Sequence, residues 1–125
     1  MRPEPAPAPV AGGRVDPKTL RVLRELKLRL RERFGDQVVG LYLFGSRARG
    51  DHEPDSDADV AVIFRGRIEE PFELKRQMIE DTYDLLLEHD LYIQPWPLEE
   101  GCLEDPDAHP RPHLARAVLR DGIAL

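Results

Sequence analysis

A chain of 125 residues has room for one domain, and 24 acidic against 18 basic side chains leave a formal charge of −6. That charge argues against a protein whose main work is holding DNA or RNA, because such binding runs on phosphate neutralisation. One cysteine, Cys102, excludes an intramolecular disulfide and a cysteine-built zinc site, and four scattered histidines (His52, His89, His109, His113) argue against a histidine-built one. No apolar run approaches the ~18–20 residues of a membrane span and the N-terminus lacks the apolar stretch of a signal peptide, so the expectation is a soluble cytoplasmic domain.

Residues 1–15 open on MRPEPAPAPVAGGR, rich in proline and alanine, and read as a disordered leader ahead of a folded domain over 16–125. Asp16 then caps a first helix with Pro17 at its first position, and Gly35 is a natural stop. Leu20, Leu23, Leu26, Leu30 and Phe34 give that helix an apolar face, while Arg21, Arg24, Lys27 and Arg31 read as a solvated one. VVGLYLF at 38–44 is a continuous apolar run of strand length, and DADVAVIF at 57–64 reads as a second strand. Pro71 opens a further helix closed by His89, with Met78, Ile79, Thr82, Leu85 and Leu86 expected to face a core. LYIQPWPL at 91–98 is a third strand, and Leu114, Val118 and Leu119 mark a last helix stopped by Gly122. The order α-β-β-α-β-α predicts an α/β (α+β) fold, a small mixed sheet flanked by helices.

The chemistry is concentrated in LYLFGSRARGDHEPDSDADVAVIF, residues 41–64. An apolar strand runs into Gly45-Ser46 and a turn that can open a helix. Glycine there lets backbone approach a ligand, and a helix start beside a hydroxyl suits phosphate. Arg47 and Arg49 add positive charge beside that cradle. Asp57 and Asp59, two apart at a strand start, share one face with Cα atoms ~6.5 Å apart. Two such carboxylates repel unless a cation sits between them. Mg²⁺ is usually held by one or two carboxylates plus phosphate oxygens. Alone, Asp-x-Asp or Gly-Ser is a common turn or strand-start feature.

Together, Gly45-Ser46, ten residues and Asp57-x-Asp59 match the G-S-x10-D-x-D signature of the DNA polymerase beta-like nucleotidyltransferase superfamily. Ser-Arg-Ala-Arg-Gly after the glycine and Ser-Asp-x-Asp-Val before the second strand resemble its small prokaryotic branch, the minimal nucleotidyltransferases. The resemblance implies the nucleotidyltransferase fold, with transfer of a nucleoside monophosphate, AMP from ATP, to an acceptor hydroxyl. It implies that Gly45, Ser46, Arg47 and Arg49 bind the nucleotide and that Asp57 and Asp59 ligate Mg²⁺. Active members usually carry a third carboxylate on a later strand, expected here near 92 or 94, where the chain has Tyr92 and Gln94. Asp90, one step early, is the candidate for that catalytic role; Glu99 and Glu100 are expected to face solvent.

The remaining candidates have plainer readings. Trp96 could stack on a base but is expected to be a buried or interface residue. Cys102 is expected to be inert, and Asp51 and Asp55 solvated. Pro110 and Pro112 argue against His109 and His113 pairing on a regular helix. A chain of this length is expected to have its acceptor presented by another protein. The resemblance implies a small all-helical HEPN partner in a toxin–antitoxin pair, with AMP passed to a protein hydroxyl. Alternatives are a nucleotide- and protein-binding antitoxin module of weak or no activity, and an antibiotic-type small-molecule adenylyltransferase working as a homo-oligomer.

Overall fold

A computed structural model describes residues 15–125. The expected leader lies outside the described residues except for Val15, which is buried in the core, so the packed body includes one residue assigned to the leader. In chain order the elements are α1 (Pro17–Phe34), β1 (Val38–Phe44), α2 (Ser46–Arg49), β2 (Ala58–Phe64), α3 (Pro71–His89), β3 (Ile93–Glu99), α4 (Pro112–Asp121) and β4 (Ile123–Ala124). The sheet order is β3-β2-β1-β4; β1 runs antiparallel to β2 and β4, and β2 runs parallel to β3.

Local signals explain the helix ends. The Asp16 carboxylate accepts from the Lys18 amide and the Thr19 hydroxyl, Pro17 opens α1, and Gly35 closes it at φ 63°. Val22, Leu23, Leu26 and Leu30 are buried on the face toward the sheet. Arg33 of α1 donates to the buried Asp81 of α3 at 2.8 Å, tying the two helices together. In α3, Met78, Thr82 and Leu85 are buried as expected, but Ile79 is 46% exposed; in α4, Leu119 is 56% exposed. Those helices each cover one sheet face with a narrow stripe, so a wider apolar arc reaches water.

Both sheet faces are covered, which is why β1 and β2 read as continuous apolar runs. Leu41, Leu43, Val60, Val62 and Ile93 pack on one side with α1 and α3; Phe44, Ala61, Ile63 and Leu98 pack on the other with α4. Val38 and Leu41 share a face although three apart, because the β1–β2 register slips between Val38 and Gly40. Asp59 continues the alternation of Ala61 and Ile63 and so belongs to the α4 face. At the sheet edge, the Tyr92 carbonyl accepts from the Ala58 amide. By alternation Pro95 and Pro97 then turn their missing N–H groups to the open side, which blunts that edge against pairing.

Candidate functional site

Antiparallel pairing of β1 and β2 sets Phe44 opposite Asp59, so the strand end at Gly45 and the strand start at Asp57–Asp59 meet at one end of the sheet. Gly45 has φ 80° and ψ −157°, a region essentially confined to glycine. It turns the chain directly into α2, where the Ala48 and Arg49 amides both return to its carbonyl at 3.1 Å. The Gly45 backbone lies against the second carboxylate: a Cβ added there would sit 2.7 Å from Asp59 Oδ2. Ser46, half-buried, follows at the first helical position.

Strand β3 supplies the neighbours of the two carboxylates. Gln94 stands opposite Asp59 in the parallel register and donates from Nε2 to Asp57 Oδ2 at 3.4 Å. Trp96 donates its indole N–H to Asp59 Oδ1 at 3.2 Å, and Lys75 of α3 holds its ammonium 3.6 Å from the centre of that ring. Asp57 is exposed and Asp59 half-buried. Burial pushes the Asp59 carboxyl above its ordinary range; the Trp96 N–H works against this, and the charge of Asp57 adds to it. Burial likewise holds the Lys75 amine below its ordinary range. A carboxylate pair of this kind, one exposed and one half-buried beside a glycine turn, fits a hard oxygen-seeking cation shared with phosphate oxygens.

Asp90 is not on the strand. It closes α3 in the left-handed region at φ 57°, and Ile93 is the first residue of β3. It lines a cleft with Asp55, Asp57, Tyr92 and Gln94, but the strand-face position beside Asp59 belongs to Gln94. α3 runs to His89 as expected, but β3 begins at Ile93 and not at 91, so Asp90 sits in the turn ahead of the strand.

Arg47 follows Ser46 in α2. It is buried, and its guanidinium donates to the Ser56 carbonyl at 2.7 Å, the Pro54 carbonyl at 3.1 Å and the Thr19 hydroxyl at 3.3 Å. It braces the 50–57 loop that carries Asp57. Arg47→Lys cannot span three acceptors with one ammonium. A stability loss of about 1.5–3 kcal/mol is expected, read by urea unfolding. A phosphate-contacting Arg47 would instead lose nucleotide affinity at unchanged stability. Arg49 is more exposed and pairs with Asp51 at 3.1 Å and Asp121 at 2.9 Å, so it stands at the rim with its charge compensated.

Other expectations divide. Cys102 is buried with its thiol pushed up to about 11 by burial, which makes it unreactive at neutral pH. Asp51 and Asp55 are exposed. Glu99 is not solvent-facing: it is buried, accepts the Ile68 amide at 2.9 Å and meets His109 Nδ1 at 2.9 Å. Burial alone would raise its carboxyl, but those partners together hold it below the ordinary range. Among the described residues, a group of three potential metal-ligating side chains is Glu25, Glu88 and His89 on α1 and the end of α3, where Arg29 already bridges Glu25 and Glu88. Sequence reasoning missed Lys75; nothing local links it to a tryptophan 21 positions later.

The chain is similar to known proteins. The model of a family described as nucleotidyltransferase domain matches residues 23–120. The chain is 41% identical over 66 residues to the protein adenylyltransferase MntA of Thermococcus cleftensis; the match spans 53% of this chain and 62% of that protein, less than two thirds of its length. A crystal structure of a candidate nucleotidyltransferase from Sulfolobus solfataricus aligns over 99% of this chain and 90% of its own at 21% identity, with a TM-score of 0.48. No described helix is long and apolar enough to cross a membrane.

Proposed function

The chain belongs to the nucleotidyltransferase domain family, and from that premise we propose that this nucleotidyltransferase moves AMP from ATP to a hydroxyl of a partner protein. The observation that carries the reading is the meeting of the Gly45-Ser46 turn with Asp57 and Asp59 at one sheet end. Gly45, Ser46 and the first amides of α2 hold the triphosphate, with Arg49 at the rim. Asp57 and Asp59 hold Mg²⁺, which when bound neutralises charge on the triphosphate and its leaving group. The acceptor oxygen bonds to the α-phosphorus, the bond bridging to the β-phosphate breaks, pyrophosphate leaves with the electron pair, and the hydroxyl proton passes to solvent. Positioning and electrostatics carry most of such a transfer.

A protein acceptor is supported by the name of the Thermococcus relative, a protein adenylyltransferase. It is also supported by the surface beside the cleft. Tyr83 and Tyr92 are 56% and 59% exposed and flank one groove with Ile79 and Pro95. Tyr92 and Gln94 belong to both groove and cleft, so a large partner can reach the reacting centre. The proposed partner is a small helical HEPN protein in a toxin–antitoxin pair, with the chain acting in the cytoplasm. One observation favours a second reading. The β3 position beside Asp59 carries Gln94, a carboxamide that cannot take a proton from an acceptor. The domain would then bind Mg-nucleotide and a partner with little transfer.

ATP labelled at the α-phosphate, incubated with the chain and a small helical HEPN protein, separates the two. Label on the partner, dependent on Mg²⁺ and absent with Asp59→Asn, supports transfer. Mg-ATP binding without label supports the second reading. Neither binding nor label contradicts both.

A further inference from the structure

The indole of Trp96 ties Asp59 Oδ1, while Oδ2 lies beside Gly45, where the missing Cβ leaves it room. Ala61 stands opposite Trp96 in the β2–β3 register, one same-face step beyond Asp59, so the indole reaches back along the strand to the carboxylate. The ring is itself covered by the Lys75 ammonium. A cation over an aromatic face is attracted by the ring's negative quadrupole and draws electron density from the N–H, which strengthens it as a donor. A free carboxylate turns about its terminal torsion through a broad well. One fixed oxygen removes that freedom before any ion arrives, and groups behind a metal ligand tune affinity in this way.

We infer that Trp96 is a positioning residue for Asp59, clamped by Lys75, and that the pair sets the direction in which Asp59 offers its remaining oxygen to a divalent cation. The inference rests on the reading of Asp57 and Asp59 as the cation-holding pair. It makes Trp96 more than core filling, and it covers with a lysine a ring face that a nucleotide base would need. It also provides a signal, because Trp96 is the one tryptophan of the chain and touches the carboxylate in question.

The test titrates Mn²⁺ with inorganic tripolyphosphate, which has phosphate oxygens and no base, into the full chain. Tryptophan emission and calorimetric heat are followed separately. The native chain is expected to show a saturable emission change that Asp59→Asn abolishes. Trp96→Phe keeps a ring under Lys75 and removes the N–H; binding of Mn²⁺ should weaken by about tenfold or more by calorimetry, with unchanged circular dichroism. Lys75→Met retains the tryptophan and should shift its resting emission, because it removes the cation from the ring face. A folded Trp96→Phe that binds Mn²⁺ as the native chain does overturns the inference while leaving the carboxylate pair intact. If Trp96→Phe does not fold, native tryptophan emission that stays unchanged while the calorimetric heat saturates overturns it. Heat that Asp57→Asn and Asp59→Asn leave unchanged would instead remove the carboxylate reading, and the inference with it.

Discussion

Asp59→Asn is expected to abolish metal-dependent nucleotide binding and to lower transfer by about 10²-fold or more, the scale on which loss of one preorganised electrostatic group is felt. The substitution preserves shape, and asparagine Oδ1 still accepts the Trp96 N–H. What it removes is charge. The fold should therefore not suffer, and the sign of the stability change can be worked out. Burial and the Asp57 charge raise the Asp59 carboxyl in the folded state, against the opposing Trp96 N–H and Lys75. A carboxyl raised on folding contributes stability below its unfolded value and loses it as pH rises through the folded value. At neutral pH the native charge is thus a burden, and the variant should melt at the same or a higher temperature. In acid below the ordinary carboxylate range the difference should vanish, because Asp59 is then neutral in both states. Calorimetric melting at the two pH values reads this directly. A variant that melts lower at neutral pH would contradict the description of Asp59 as a charge held against its environment. Asp57→Asn should lose nucleotide binding likewise, with little change in melting, since Asp57 is exposed.

Gly45→Ala is expected to damage both fold and site. The backbone at φ 80° and ψ −157° costs a residue with a side chain about 1–3 kcal/mol. The new methyl also meets Asp59 Oδ2 at 2.7 Å. The carboxylate can turn aside, but only by giving up the Trp96 hydrogen bond or the orientation toward a cation. The expected result is a lower urea midpoint together with loss of Mg-nucleotide binding larger than unfolding accounts for. Gly66→Ala is the matched control. It too has positive φ, at 74°, but nothing lies within 4 Å of its added Cβ. It should lose stability and keep binding. Equal loss of binding in both would mean that the Gly45 approach to Asp59 has no bearing on the site.

The site's two halves were legible because each is written locally. The strand run 38–44 ends at a glycine, the second run begins on two alternating acids, and antiparallel pairing brings those ends together whatever the intervening loop does. Helix starts were legible for the same reason: Asp16, Pro17 and Pro71 act on their own turns. What could not be read depends on residues far apart in the chain. Arg47 beside the Gly45-Ser46 turn reads as a nucleotide contact, and its hydrogen bonds to Thr19 and to the Pro54 and Ser56 carbonyls come from far along the chain or across a loop. Glu99 looks solvated until the Ile68 amide and His109 close over it. Asp90, one step before the expected strand, reads as the third carboxylate, but it takes a left-handed conformation at the helix end and the strand starts only at Ile93. Strand β4 has two residues, too few for any alternation to register, and is fixed by pairing with Tyr42 and Leu43.

On the proposed function, the Gly45-Ser46 turn and the Asp57–Asp59 pair form one Mg-nucleotide site. Calorimetric titration of Mg-ATP into the full chain, repeated with a metal chelator, tests it most directly. Saturable binding that disappears when the metal is removed is expected. Binding of equal strength with and without the chelator, or none in either case, would contradict it.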